Sequence, residues 1–440
     1  MRTLPSRRHA RAAVDDWRRF GASSYRPFRL LSVAQGFIGA LSGPAIVIPL
    51  LLAMGAHPAL ATLLAVLPVL GTMAQRFVPP ALERTEGNLR GIVLLLAAIG
   101  EPRGLVMALI VGLVAAGVLP SGVGIGLVAL VMGVLGSLAA VGAGILQSWY
   151  QIVLPDAERR LVAPRLAGIA LGIGAVVLLP LSLTMDGAIG AMGLWAYAVP
   201  LAAGGTAGLV AAIAVRRLPH PGRVRVPRQT TWQRVDDGRL NRLAQVLTLA
   251  SLAAGLSPFL SIYAIAVLGT GPGFAIGISA VSSATLVLAA LVVSSQLVRG
   301  SASRLLRASF VLRGAALLLG LAAHPANPVA PLVLLVVAVM LAAGDTAGQL
   351  SANERLFRLA TGPSVIAFQS HFVVRNVLAY TGGLVAGSAV MLLGGYVAFA
   401  ILFAGAGTAR LVAARSTEVT PRGVSTATGV IETLEAPRTS

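Results

Sequence analysis

Residues 122–146 read GVGIGLVALVMGVLGSLAAVGAGIL, a run without a single charged side chain. At a rise of about 1.5 Å per residue, a helix of this length crosses the roughly 30 Å hydrocarbon core of a membrane. A strand of a membrane β-barrel would alternate polar and apolar residues over about 10 positions, which this run does not do. The stretch therefore predicts a membrane-spanning helix, whose backbone satisfies its own hydrogen bonds in lipid.

Similar apolar runs lie on both sides of this stretch along most of the chain. The composition agrees with them, because 56% of the 440 residues are hydrophobic and only 11% are charged, against about a quarter in soluble domains. We therefore predict an all-α, polytopic membrane protein with about twelve transmembrane helices. The predicted spans cover residues 30–53, 58–80, 91–118, 122–146, 164–185, 188–214, 243–268, 273–298, 305–323, 328–350, 364–391 and 394–414.

The arginines predict how the chain is oriented. They lie at both termini and in alternate connectors, whereas the intervening connectors are short and lack arginine. By the positive-inside rule, both termini lie in the cytoplasm of a multi-pass protein of the cell (inner or plasma) membrane. The net charge of +19 is explained by this placement, so no nucleic-acid partner is expected. The short connectors are predicted near Gly55–Pro58, Leu119–Ser121, Asp186–Gly187, Gly269–Pro272, Ala322–Pro328 and Leu393–Gly394.

The longest internal polar stretch, residues 216–242, divides the chain into two sets of six spans. We expect a cytoplasmic N-terminal segment at 1–29 and an N-terminal six-helix bundle at 30–215. A cytoplasmic linker at 216–242, a C-terminal six-helix bundle at 243–414 and a cytoplasmic tail at 415–440 complete the predicted organisation.

This arrangement resembles the major facilitator superfamily, whose members have two six-helix bundles and both termini inside. Two connectors add to the resemblance: PALERTEGNLR after the second span, and SWYQIVLPDAERRLVAPRLAG before the fifth. The resemblance implies two bundles rocking about a central cavity, with the substrate near the middle of the bilayer. It also implies candidate conformational-gate residues, which are Glu83, Arg84, Arg159 and Arg165.

Few polar side chains lie inside the predicted spans, and each is a candidate for function because a charge in lipid is costly. Asp345 and Gln349 share one face of the tenth span. Asp345 is either a proton carrier or ligand for a cationic group, or a structural partner for an arginine of a neighbouring helix. Arg313 in the ninth span is interpreted as interfacial.

The eleventh span holds FQSHFVVRNVLAY, with His371 and Arg375 four residues apart on one face and Asn376 beside them. Arg375 either binds an anionic substrate group or pairs with Asp345 as a gate. Alternatively, it extends to the membrane interface and His371 is ordinary hydrogen-bonded packing. His371 titrates near neutral pH without any special environment, which makes it a candidate for proton coupling.

The third span is interrupted by Glu101, Pro102 and Arg103. Proline removes a backbone donor, so we expect a kink. Residues two apart do not face each other on a helix, so each charge is expected to need its own partner. In an alternative register, the triplet lies near the lipid headgroups. Gln35 in the first span is a candidate either for hydrogen bonding to substrate or for holding helices together.

No catalytic motif, nucleotide-binding loop or cysteine is present, so we expect neither an enzyme nor a cofactor. The sequence favours a secondary active transporter that moves a small organic molecule by alternating access, with protons as the candidate coupling ion and export favoured over import. A lipid flippase or scramblase and a non-transporting scaffold of the same fold remain alternatives. The expected partners are the substrate, membrane lipid and protons, and the expected state is a monomer.

Overall fold

The computed structural model describes residues 25–65, 67–85, 88–153, 156–219, 238–255, 259–297, 302–359 and 364–416. Nearly all of these residues are helical, and none of the described residues forms a β-strand. We number the transmembrane passages as spans 1 to 12 and call spans 1–6 the N-terminal half and spans 7–12 the C-terminal half.

In the N-terminal half, four of the six spans are interrupted and two are continuous. Span 1 comprises Arg26–Leu41 and Pro44–Ala53. Span 2 comprises Pro58–Ala65, Leu67–Gly71, a 3-10 turn at Thr72–Phe77, and Val78–Arg84. Span 3 comprises Leu89–Gly100 and Arg103–Ala115, and span 4 comprises Ser121–Val131, a π-helical turn at Met132–Gly136, and Ser137–Val153. Spans 5 and 6 are Asp156–Met192 and Trp195–Arg216.

In the C-terminal half, most spans are single helices. Span 7 comprises Gly238–Gly255 and Phe259–Ala266. Spans 8 to 12 are Pro272–Leu297, Ala302–Leu319 with a 3-10 turn at Gly320–Ala322, Ala330–Leu359, Ser364–Met391 and Gly395–Ser416.

The surface of the fold is that of a protein dissolved in lipid. Among the described residues, ten of the twelve spans are long and apolar enough to cross a membrane by this criterion; the exceptions are spans 7 and 11. Large apolar side chains point outward along them; Leu183 is 80% exposed and Val176 is 70% exposed. A soluble protein would avoid such an extended apolar surface. The predicted polytopic helical architecture is confirmed.

One predicted connector is wrong. Asp186 and Gly187 were expected to join spans 5 and 6, but the helix of span 5 continues to Met192 and the chain turns at Gly193, whose φ is +57°. Glycine adopts this left-handed conformation at little cost, which explains the position of the turn. Asp186 is consequently part of a helix, where its carboxylate has a partner described below.

The two halves meet along two pairs of helices. Span 5 packs along span 8, and span 2 packs along span 11. Near the ends with short connectors, the second helix of span 1 also touches the second helix of span 7.

Candidate functional site

Span 3 carries an ion pair where its helix is interrupted. The first helix ends at Gly100, the second begins at Arg103, and Arg103 Nη1 lies 3.3 Å from Glu101 Oε2. Both side chains are largely buried, with exposed fractions of 13% for Arg103 and 11% for Glu101. The expectation that each residue needs a separate partner was wrong, because it assumed a continuous helix. Pro102 has no N–H, and the resulting turn lets the two neighbours face each other.

Glycines of span 6 hold this interruption in place. A Cβ atom at Gly208 would collide with the carbonyl of Glu101, and one at Gly205 would collide with the backbone N of Leu105. Small residues let helix backbones approach this closely. The charged turn of span 3 is therefore packed inside the N-terminal half, against span 6.

Span 1 is interrupted beside the same crossing. Gly43 has an extended backbone, with φ −96° and ψ −177°, and precedes Pro44. A residue before proline avoids the helical region, which accounts for the break. The side chain of Ser42 is fully buried there, and its Oγ has no hydrogen-bond partner among the described residues.

The C-terminal half contains a second ion pair, between a buried arginine and a half-exposed carboxylate. Arg313 Nη1 of span 9 lies 2.8 Å from Asp345 Oδ1 of span 10. The exposed fraction is 9% for the Arg313 side chain and 46% for that of Asp345. Asp345 therefore has an arginine of a neighbouring helix as its partner, as one of the two sequence alternatives held. That partner is Arg313, whereas Arg375 is exposed. The interfacial interpretation of Arg313 is corrected by its burial.

Two glycines of span 10 make room for the Arg313 side chain. A Cβ atom at Gly344 would lie 2.5 Å from Arg313 Cγ, and a Cβ atom at Gly348 would overlap the guanidinium itself. Because these glycines are four residues apart, they lie on the same helix face. They form a groove, which we call the glycine groove, that directs Arg313 to Asp345.

A second arginine lies beside this pair. Arg410 of span 12 is 1% exposed, and its Nε and Nη1 have no acceptor within the described part of the chain. The charges of Arg313 and Asp345 both act on it. Spans 9 and 12 cross closely nearby, since a Cβ atom at Gly314 would lie 3.0 Å from the carbonyl oxygen of Gly407. We call Arg313, Asp345 and Arg410 the arginine cluster; it holds two positive charges and one negative charge.

The seam between spans 5 and 8 contains a polar contact between the two halves. Asp186 Oδ1 accepts a hydrogen bond of 2.8 Å from the backbone N–H of Gly273, at the start of span 8. A carboxylate at a helix N-terminus is favourable because unpaired N–H groups and the helix dipole converge there. A Cβ atom at Gly271 would lie 2.5 Å from Asp186 Oδ2, so this approach requires glycine.

The other predicted site residues are distributed over the molecule. Gln35 is half-buried in span 1, and Gln349 is exposed on span 10. Asn376 of span 11 accepts a hydrogen bond of 3.3 Å from Thr248 Oγ1 of span 7. The roles of these residues, like those of Glu101 and Arg103, stay predictions.

The predicted gate residues are described only in part. Arg84 is exposed at the end of its helix, and Arg165 is half-buried near the start of span 5. The side chains of Glu83, Arg159 and His371 lie outside the described residues. The proposed gate therefore stays a prediction.

Sequence reasoning missed Arg410 and Asp186. Arg410 was not singled out among the polar residues of the predicted span 394–414, although about 9 Å of helix, at 1.5 Å per residue, separates it from Ser416. That depth was a usable signal. Asp186 was assigned to a connector, so only the continuation of the helix to Met192 reveals its position.

Comparison with known proteins gives matches in structure and none in sequence. No family model matches the sequence, and no curated protein matches it. Among solved structures, the chain is similar to the nucleoside transporter NupG, with a TM-score of 0.61 and 13% identity, over 90% of this chain and 98% of that one. It is also similar to the D-xylose–proton symporter, with a TM-score of 0.63 and 12% identity, over 90% and 98% of the two chains.

A third match has a different cargo. A bacterial homologue of the iron transporter ferroportin, in its outward-facing state, aligns with a TM-score of 0.56 and 16% identity over 89% of this chain and 98% of that one. At such low identities, the matches establish the fold alone. They cover nearly the whole length of both partners, and this chain therefore has the twelve-helix membrane fold of the major facilitator superfamily.

Proposed function

We propose that this protein is a secondary transporter that moves a small organic molecule across the cell membrane by alternating access of its two halves. The observation that carries the proposal is the seam between spans 5 and 8. The two helices approach closely there at glycine residues. The backbone N–H of Gly273 donates a hydrogen bond to Asp186, which joins one half to the other. Such a contact can break when one end of the molecule opens and reform when it closes.

The charged groups within the spans support transport over a purely structural role. Buried charges in a membrane protein are expensive and usually mark a substrate or ion pathway. Asp345 is the member of the arginine cluster with an exposed side chain, so it is the candidate to exchange a proton with water. We propose protons as the coupling ion and export as the direction.

The solved transporters of this fold are named for nucleosides, a sugar and iron, so their names do not select a substrate for this chain. The apolar composition of the spans favours an amphipathic organic molecule. We propose that the termini lie in the cytoplasm and that residues 30–215 and 243–414 form the two moving bundles.

Reconstitution in liposomes tests this function. A panel of nucleosides, sugars and organic acids is offered with and without a proton gradient, and accumulated solute is measured. We expect at least one solute to accumulate in wild type, and we expect Asp345→Asn to abolish the gradient-driven component while solute exchange continues. If pH-dependent uptake is unchanged in Asp345→Asn, Asp345 does not carry the proton.

A parallel assay separates the alternatives. Fluorescent phospholipid in the same liposomes reports movement between leaflets. Lipid movement without solute movement would contradict the proposal in favour of a flippase or scramblase. If neither solute nor lipid moves, although a cooperative thermal transition shows that the protein is folded, the chain is a non-transporting scaffold.

A further inference from the structure

The arginine cluster has an unbalanced charge. Arg313 and Arg410 each carry one positive charge, and among the described residues Asp345 is the acidic residue whose charge acts on both. Both arginines are more than nine-tenths buried. A buried guanidinium is stable only when it is paired and hydrogen-bonded, so a charge of +1 in the interior of the half calls for an anion.

The unused donors indicate where that anion lies. Arg410 Nε and Nη1 and Arg313 Nε have no acceptor among the described residues. The side chain of Arg313 lies in the glycine groove, against the backbone of span 10. Hydrogen bonds from guanidinium to carboxylate or phosphate oxygens are shorter and stronger than neutral ones, which makes an oxyanion the matching ligand.

From this geometry we propose that the arginine cluster binds one anionic group, a carboxylate or phosphate, of the transported molecule. This inference rests on the proposed transport function and names the class of its substrate. The anion lies against Arg410 and the free edge of Arg313, and it balances the charge that Asp345 leaves uncompensated.

Asp345 is the more accessible member of its ion pair. Its side chain is 46% exposed whereas that of Arg313 is 9% exposed, and a carboxylate repels an anion that approaches the pair. Among the described residues, the groups facing Asp345 are Arg313 of span 9, Arg410 of span 12 and Tyr380 of span 11. Protonation of Asp345 removes the repulsion and leaves both arginines to the anion. Proton binding and anion binding therefore reinforce each other.

Binding to the purified full chain in detergent tests the proposal. The probes are benzoate, inorganic phosphate and chloride as sodium salts in a low-salt zwitterionic buffer, with uncharged benzamide as the matched control for benzoate. The thermal transition and the dissociation constant from calorimetry are measured. We expect benzoate or phosphate to raise the transition temperature and benzamide to leave it unchanged.

Variants give effects of opposite sign. Arg410→Met removes a charged donor and is expected to weaken binding at least about tenfold. Asp345→Asn imitates the protonated acid and is expected to tighten it several-fold. Arg415→Met removes an exposed arginine in the last turn of the same helix as Arg410 and is the matched control, with no expected change. If Arg410→Met does not fold, the tightening by Asp345→Asn still decides the question.

Three results would overturn the proposal. One is a wild-type protein that responds to the anions no more than to benzamide. Another is weaker binding in Asp345→Asn. The third is protection by chloride alone, which would make the cluster the site of a resident ion. Because binding is measured without transport, a chain that binds benzoate but moves no solute refutes the transport function and leaves the site standing. Transport of a neutral solute without anion binding refutes the site alone.

Discussion

A disulfide across the seam of spans 5 and 8 should lock the transporter. A Cβ atom at Gly277 of span 8 would lie 3.7 Å from Cβ of Ser182 of span 5. Disulfides join Cβ atoms about 3.8 Å apart on average, so Ser182→Cys with Gly277→Cys has the geometry of an unstrained bond. The chain contains no cysteine, so this pair forms without competing thiols.

The loss of transport is expected because a disulfide limits the distance between the two helices. A disulfide keeps its two Cα atoms within about 7 Å, so the helices cannot separate to let solute through. Transport should fall in proportion to the cross-linked fraction and return on reduction. The cross-linked fraction is measured with a maleimide carrying a polymer, which adds two labels to reduced protein and none to oxidised protein.

A matched pair controls for the substitutions. Gly190 lies on the same helix as Ser182, and a Cβ atom there has no neighbour within 4 Å. Gly190→Cys with Gly277→Cys should therefore neither cross-link nor lose activity on oxidation. Full transport by protein whose 182–277 bond is complete would refute the reasoning, because the seam would then not need to open.

Three further predictions concern the arginine cluster and the seam between spans 5 and 8. Gly348→Ala should lower the free energy of unfolding by about 1–3 kcal/mol, because its methyl group meets the Arg313 guanidinium. Gly122→Ala, which has open space around it, should leave that free energy unchanged. Thermal unfolding in detergent compares the two variants. Asp345→Asn should lower the free energy of unfolding by about 1–3 kcal/mol. This is less than the loss of one partner of a fully buried ion pair, because the carboxylate is half-exposed. Adding Arg313→Met should recover part of that loss. Additive losses in that double variant would reject the pairing. Asp186→Asn should open the seam, raising the labelling rate of a single cysteine at position 182, while Gly187→Ala should leave it unchanged.

Hydropathy was sufficient to predict the helical membrane architecture, but it missed the end of span 5 and could not predict which residues meet. The run at 122–146 and its counterparts were recognisable because a membrane requires long apolar helices. The break at Ser42 and Gly43 lies inside one such run, and hydropathy does not register backbone angles. The sequence SGP nevertheless carried the signal, because proline restricts the residue before it.

The ion pairs were harder to predict for a different reason. Glu101 and Arg103 meet because the helix stops between them, so rules for continuous helices gave the wrong answer. The partner of Asp345 depends on how spans 9 and 10 are rotated against each other, which a single sequence does not encode locally. Burial of Arg313 and Arg410 likewise depends on tertiary packing.

The glycine groove predicts that three positions of the chain covary in evolution. As long as position 313 is arginine, positions 344 and 348 have no room for any larger residue. Relatives that keep the arginine should keep both glycines, and relatives that lose it are free to fill them with alanine or serine. An alignment in which these three columns change together would show when the charged cluster arose. The first lineage with larger residues in the groove would show where the cluster was lost.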